Sequence, residues 1–310
     1  MRIFVALCYP TSVVTRARLK SSVTKAVIAA AGYGTRFLPA TKNQPKEMLP
    51  IIDKPIIQYL VEEAVASGIK DIIIVTRAGQ TTLEDHFDSH VELEHLLRFQ
   101  GKEKYLREIQ EIPQLANIAY VRQKKHLPYG NATPLLCAAP LIKDDESFVY
   151  MFGDDLVQAK VPAVKQLIDI YEKHHPAAVL AVQEVPWEVV DRYGTVHYKR
   201  GTRINQIDRL VEKAKPEDAP SNMAQFGRFV FSYKVIETLR KTPTGKDNEL
   251  WVADTLNRLA KKETVIAQPI AGKWLTTGDP LNYLKATVEY ALKRPDLAED
   301  FKSYLKSLNL

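Results

Sequence analysis

The stretch Ala26–Pro50, AVIAAAGYGTRFLPATKNQPKEMLP, constrains this chain more than any other. Its apolar opening suits a buried strand, and Gly32-Tyr33-Gly34 then lets the backbone turn tightly and approach a ligand closely. Arg36 and Lys46 follow within reach of such a turn. Backbone N–H groups beside fixed positive charges make a site for a polyphosphate. Next, Pro55 to Gly68 carries Ile57, Leu60, Val61, Ala64 and Val65 at the spacing of an amphipathic helix, with Pro55 suited to its first turn and Gly68 to its end. Asp71 to Thr76 reads as a second buried strand. Strand, helix, strand is a parallel βαβ unit with a right-handed crossover.

Beyond this unit, Thr82 to Glu111 is polar and mostly helical in pattern, and Asn117–Gln123 and Ser147–Phe152 read as a third and a fourth strand. The fourth runs into Gly153-Asp154-Asp155, which puts two carboxylates at a strand's C-terminal end, where open α/β sheets bind ligands. Val161–His175 is a helix and Ala177–Val185 another strand. From Trp187 the pattern suggests β-hairpins: Arg192-Tyr193-Gly194, the strand-like Thr195–Tyr198, the turn Arg200-Gly201, then Ile204–Lys213. Gln225–Ser232 and Thr264–Gly272 add strands around a helix from Glu249 to Lys262, and Pro295 interrupts the helical segments running from Pro280 to about Leu308. The expected class is α/β, with a mostly parallel central sheet flanked by helices and a smaller β-hairpin part.

At 310 residues the chain has room for a sizeable core, and its 45% hydrophobic and 26% charged residues are those of an ordinary globular protein. The net charge of +6 comes from basic residues interleaved with acids, which suits an enzyme of anionic metabolites and does not call for nucleic acid. Cys8 and Cys137 lie far apart with no zinc spacing, which points to a reducing, cytoplasmic setting. No apolar run approaches a membrane span, so no membrane partner is expected. Residues 1–22 hold Arg2, Arg16, Arg18 and Lys20 but no acid, and are expected to be a disordered extension or an upstream start assigned in error, with the natural beginning near Val23.

The glycine loop alone does not identify a ligand. Phe37 follows Arg36 where a dinucleotide fingerprint would carry its third glycine, and the Walker pattern is also missed. The ordered string is more specific: Ala-Ala-Gly-x-Gly-Thr-Arg, then Leu38-Pro39-Ala40-Thr41-Lys42, then Pro45-Lys46-Glu47-Met48-Leu49-Pro50. It resembles the signature of the sugar-1-phosphate nucleotidyltransferases, most closely the bacterial branch that joins UTP to glucose 1-phosphate. The similarity runs from about Lys25 to Gly278 and includes the segment Phe87–Leu97 (FDSHVELEHLL).

The resemblance implies a fold of nucleotide-diphospho-sugar transferase type in residues 23–310, with 23–160 mainly nucleotide-binding and 161–310 mainly sugar-binding and C-terminal helices. It also implies roles by position. Ala30, Ala31 and Gly32 meet uracil and ribose, Gly34, Thr35 and Arg36 hold the triphosphate, and Lys46 neutralises the reacting phosphate. Gln123 and Gly130 border the base, and Asp154 binds Mg²⁺. Tyr193, Gly194, Glu212, Lys213 and Gly227 form the sugar-phosphate side. Arg36, Lys46 and Asp154 are the expected catalytic set, UTP and a sugar 1-phosphate the partners, and a homo-oligomer the expected assembly.

Three positions depart from the family's pattern. Asn131 stands where a histidine is usual, Ala214 where a proline is usual, and Thr276 where the family carries a second metal-binding aspartate. A hydroxyl is a poorer Mg²⁺ ligand than a carboxylate. Three other readings follow: the same chemistry with another sugar 1-phosphate or dTTP, a nucleotide-sugar sensor without turnover, and an NAD(P)-dependent oxidoreductase.

Overall fold

In the computed structural model, which describes residues 23–308, the apolar run ahead of the glycine loop is strand β1 (Val23–Ala29). The expectation for residues 1–22 lies outside the described residues. After the loop come the short antiparallel strands β2 (Pro50–Ile51) and β3 (Lys54–Pro55), then helix α1 (Ile56–Ala66). The α1 stripe Ile56, Ile57, Leu60, Val61 and Ala64 is buried, and the helix gives out before Gly68, whose φ of 96° lies in the region that favours glycine. Strand β4 (Asp71–Thr76) then lies parallel to β1, completing the expected βαβ unit. The polar, mostly helical stretch that follows divides into three helices: α2 (Thr82–His86), α3 (Val91–Phe99) and α4 (Glu103–Glu111). His90 starts α3 by accepting from Leu93 N, and Gly101 at φ 66° separates α3 from α4.

The remaining elements are β5 (Asn117–Arg122), α5 (Thr133–Ala138), β6 (Ser147–Phe152), β7 (Asp155–Gln158), α6 (Ala163–His174) and β8 (Ala178–Glu184). They continue as the hairpin β9 (Gly194–Tyr198) and β10 (Ile207–Glu212), the long strand β11 (Met223–Phe231), α7 (Lys234–Leu239) and α8 (Val252–Ala260). Last come β12 (Val265–Pro269), β13 (Lys273–Thr276), α9 (Pro280–Ala291) and α10 (Ala298–Ser307).

One nine-stranded sheet organises them. β1 lies between β4 and β6, parallel to both, with β5 parallel to β4 beyond. β11 runs antiparallel to both β6 and β8, and β12 is parallel to β8. The β9–β10 hairpin joins through Ala224 of β11 opposite Thr195. One face is covered by α1, α6 and α9, and the other by α5, α7 and α8, so the central strands are apolar on both sides. The C-terminal ends of β1, β4, β5 and β6 therefore lie along one edge of the sheet, where their loops meet.

A buried charge ties this edge to the helices. Arg228 on β11 is 0% exposed. Its Nη2 and Nε donate to the Glu63 carboxylate of α1 at 2.7 to 3.1 Å, Nη2 also to the Asp155 carbonyl at 2.7 Å, and Nη1 to the Gly227 carbonyl at 2.8 Å. Glu63 in turn accepts from Val164 N of α6 at 3.1 Å. Removing one partner strands the other charge, so Arg228→Leu is expected to lower unfolding free energy by about 3–5 kcal/mol, and Arg228→Leu with Glu63→Leu to recover most of that loss. Urea unfolding of the three proteins checks both outcomes.

Candidate active site

The glycine loop leaves β1 with its Ala30 N–H already donated to Val75 O at 2.8 Å, so that group serves the sheet. Gly34 then turns at φ 61°, where an added Cβ would lie 3.1 Å from Thr41 Cγ2 and 3.3 Å from Lys46 Cβ. Only glycine meets both demands. Thr41 Oγ1 donates to the Gly34 carbonyl at 2.8 Å, folding the loop back on itself. A tight helical turn at Lys46–Met48 then returns Lys46 to the mouth of the loop, its Cε 3.8 Å from where a Gly32 Cβ would be.

Asp154 arrives from the neighbouring strand. Gly153 N donates to Ala29 O at 3.1 Å, and a side chain on Gly153 would meet Ala29 O at 2.6 Å and Glu47 Cγ at 2.7 Å. β6 can thus turn into β7 only tightly, which sets Asp154 Oδ2 at 2.6 Å from Lys46 Nζ. These two side chains keep 20% and 23% exposure, enough to be reached from the cleft. The β13–β7 ladder pairs Thr276 with Asp155, and Thr277 donates to the Asp154 carbonyl through N (2.7 Å) and Oγ1 (2.9 Å). Arg36 Nη1 reaches the Gly278 carbonyl at 3.2 Å, so Thr276, Gly278, Arg36 and Asp154 are neighbours.

Four consecutive-pair ionisable groups meet here with different fates. Burial pushes the Asp154 carboxyl up, but Lys46 and then Arg36 outweigh it and hold the group below the usual carboxylate range. Burial likewise works against the Lys46 cation, and Asp154 and Glu47 reverse the effect, so Lys46 is held charged. Glu47 is pushed up to about 7 by burial, against the pull of Lys46. Asp155 is pushed up to about 6 by burial and by Asp154. Its oxygens are committed to the frame: Oδ1 accepts from Trp274 Nε1 at 2.7 Å and Oδ2 from Gly227 N at 2.9 Å. Asp279 is committed too, capping α9 through Asn282 and pairing with Arg192 Nη2 at 2.7 Å.

All the expected nucleotide residues except Ala30 line two adjoining cavities of about 320 and 290 Å³. Ala31, Gln123, Gly130 and Asp154 line the first, Gly34 and Thr35 the second, and Gly32, Arg36 and Lys46 both. Gly130, at φ 137°, packs against the Leu250 backbone so closely that a Cβ would come within 2.2 Å of its carbonyl oxygen. Asn131 is structural here: Oδ1 caps α8 by accepting from Val252 N at 2.8 Å. A larger groove of about 1070 Å³, bordered by Tyr59, Tyr290 and Lys293, contains none of the expected site residues.

None of the sugar-side set lines either cavity, but Lys213 and Gly227 sit against Trp251 and Phe152, which do. Lys213 Nζ sits 4.9 Å from the ring centre of Trp251, which lines the first cavity. Tyr193 packs edge-on against Trp274 at 4.9 Å, and its carbonyl accepts from Lys213 N. Gly194 lies opposite Glu212 across the hairpin. Gly227 is buried, its N–H given to Asp155, and an added Cβ would come within 2.3 Å of Phe152 Cβ. Glu47, Tyr129, Glu249 and Trp251 border the first cavity without having been singled out from the sequence. Adjacency to Lys46 was a usable signal for Glu47; the others come in through tertiary contacts alone.

Among the described residues, no three His, Cys, Asp or Glu side chains form a metal cage. One partly reachable carboxylate, Asp154, with the Thr276 hydroxyl nearby, fits a hard cation that draws its other oxygens from phosphate and water.

A tightly turned glycine loop, a Lys–Asp pair and a cleft at the carboxyl edge of a parallel sheet are the features of a phosphate-transferring α/β protein. The model of the nucleotidyl transferase family matches residues 25–293, and the chain belongs to that family. It is 44% identical to the UTP–glucose-1-phosphate uridylyltransferase YngB of Bacillus subtilis, over 94% of this chain and 97% of that one. It is also 44% identical to the UTP–glucose-1-phosphate uridylyltransferase of Staphylococcus epidermidis, over 93% and 99%. Among solved structures, a UDP-glucose pyrophosphorylase complexed with UDP-glucose superposes with a TM-score of 0.79 at 37% identity, covering 88% of this chain and all of that one. The UTP-bound enzyme from Acinetobacter baumannii gives 0.83 at 34% identity, covering 92% and 99%.

A carboxyl whose folded pKa is raised stabilises the fold below its unfolded pKa and loses that contribution as pH rises through the folded value. For Glu47 this window runs from 4.5 to about 7. Glu47→Gln is therefore expected to gain stability relative to the parent protein as pH rises through that window. Thermal unfolding across the range checks the sign.

Proposed function

We propose that the chain transfers a uridylyl group from UTP to α-D-glucose 1-phosphate, giving UDP-glucose and pyrophosphate. The observation that carries this reading is the Lys46–Asp154 pair at 2.6 Å, set where the glycine loop closes on two joined cavities. Arg36 and Lys46 line both cavities beside the backbone of the glycine loop, which suits a triphosphate.

A phosphate oxygen of the sugar 1-phosphate attacks the α-phosphorus of UTP. A new P–O bond forms, the bond to the bridging oxygen of the β-phosphate breaks, and its electron pair leaves with pyrophosphate. The nucleophile is already an anion at neutral pH, so no general base is required. The residues supply position and charge. Backbone groups of Ala31, Gly32, Gly34 and Thr35 enclose the nucleotide, with Gln123 and Gly130 beside the base. Arg36 and Lys46 oppose the charge that grows on the leaving group and on the α-phosphate oxygens. Tyr193, Gly194, Glu212, Lys213 and Gly227 form the sugar side, with Lys213 facing its phosphate and Glu212 its hydroxyls. Asp154, with Thr276 alongside, would hold Mg²⁺, which when bound supplies further positive charge to the phosphate oxygens. Division of labour between residues 23–160 and 161–310 belongs to the same reading.

No helix among the described residues is long and apolar enough to cross a membrane. We place the enzyme in the cytoplasm as a homo-oligomer, for which the exposed Val91, Leu96 and Phe99 of α3 offer an apolar contact.

Pyrophosphate release over a grid of nucleotides and sugar 1-phosphates tests the assignment. UTP with glucose 1-phosphate is expected to give the highest kcat/KM, and no turnover of that pair would overturn it. Binding of UTP without turnover on any sugar 1-phosphate would instead support a sensor. Arg36→Ala and Asp154→Asn are each expected to lower kcat/KM by roughly 10² to 10³ while the variants remain folded, with a far-UV circular dichroism spectrum like that of the parent protein.

A further inference from the structure

The sugar side contains a polar side chain that none of the roles above uses. Gln225 of β11 is 6% exposed, in a strand whose neighbouring residues Ala224 and Phe226 are also buried. Its register explains where it points. Ala224 lies opposite Thr195, and Glu212 lies opposite Gly194, so alternation along β9 and β11 puts Gln225, Gly194 and Glu212 on one face. They meet there: a Cβ added to Gly194 would come within 2.5 Å of Glu212 Oε2 and 3.1 Å of Gln225 Nε2. Gln225 Nε2 and Glu212 Oε2 both crowd that point, which sets the donor end of the amide, and not its oxygen, beside the carboxylate. Glu212 Oε2 and Gln225 Oε1 are buried and find no hydrogen-bond partner among the described residues.

We infer that Gln225 is a positioning residue for Glu212, and that glycine at 194 is what leaves room for the pair. Resting on the reading of Glu212 as the sugar-hydroxyl acceptor, this makes Gln225 a determinant of how the hexose is gripped. With Gln225 and Gly194 fixing one end of the carboxylate, the rest of it is held in a single orientation for the hydroxyls of a neutral hexose. Burial raises the Glu212 carboxyl above its ordinary range, while Lys213 and the Gln225 hydrogen bond pull it down. The charged groups around it are Lys213, the residue just after its strand, and Asp254 on α8, and no charged residue of β9 or β11 is among them. Loss of the amide therefore moves the Glu212 titration to higher pH and loosens its aim at once.

Gln225→Met keeps the length and flexibility of the side chain and removes the amide. It is expected to raise the KM for glucose 1-phosphate roughly ten- to hundredfold, with the KM for UTP within about twofold of the parent value, as for loss of a hydrogen bond to a charged group. The acid limb of kcat/KM for the sugar phosphate should also move to higher pH. Gly194→Ala, which displaces the same carboxylate, should share the selective sugar effect. UTP-induced thermal stabilisation shows that each variant is folded. An unchanged sugar KM and acid limb in folded Gln225→Met would overturn the inference, and so would equal losses for UTP and sugar phosphate. Turnover by the parent protein tests the parent reading separately. Should it accept no sugar 1-phosphate, an NMR titration of the Glu212 side-chain carboxyl carbon decides the matter: a shift to higher pH in Gln225→Met supports the pairing, and an unmoved titration refutes it.

Discussion

A guanidinium sealed inside the protein is the constraint around which the site is arranged. Arg228 is wholly buried, so its charge must be met by Glu63 and its remaining donors by carbonyl oxygens. Those partners belong to α1, β7 and β11, which fixes where β7 can begin relative to the helices. Asp154 is the residue just before β7, so its location follows from the satisfaction of a charge it never touches. Asp155 adds to the same frame by binding Trp274 and Gly227, leaving Asp154 as the member of this adjacent pair that faces the cleft.

Against that frame the loop supplies the opposite charge. Lys46 and Asp154 are 108 residues apart in sequence and 2.6 Å apart in space, and each shifts the other toward its charged form. Their immediate neighbours Glu47 and Asp155 are pushed the other way by burial. The contrast between adjacent residues comes from environment alone: a carboxylate paired with a cation stays ionised, and one enclosed by backbone and apolar side chains resists ionisation.

The parallel sheet, the βαβ opening and the strand leading to Asp154 were legible because apolar runs and turn residues mark them locally. The nucleotide residues from Gly32 to Lys46 were legible for the same reason, as a contiguous string whose loop geometry is local. Other features were hidden. The stretch 82–111 has one polar composition but is cut into three helices by Asp88–His90 and Gly101, and such breaks carry little periodic signal. Strands β7 and β13 are four residues each and exist through pairing with one another across more than a hundred residues. Asn131 looked like a departure near the base, yet its side chain is spent on capping α8. Gln225 read simply as part of a strand, because a lone glutamine in an apolar run says nothing of the carboxylate it will face.

Local chemistry in the sequence by itself determined the fold class, the glycine turn and which residue types could serve a triphosphate. Tertiary structure alone decided which carboxylate stays open to the cleft, that Asp279 turns to its own helix, and that Gln225 meets Glu212 over Gly194. The physical reason is that backbone conformation and hydrophobic period are properties of neighbouring residues, whereas burial, charge pairing and strand register arise between segments far apart in the chain.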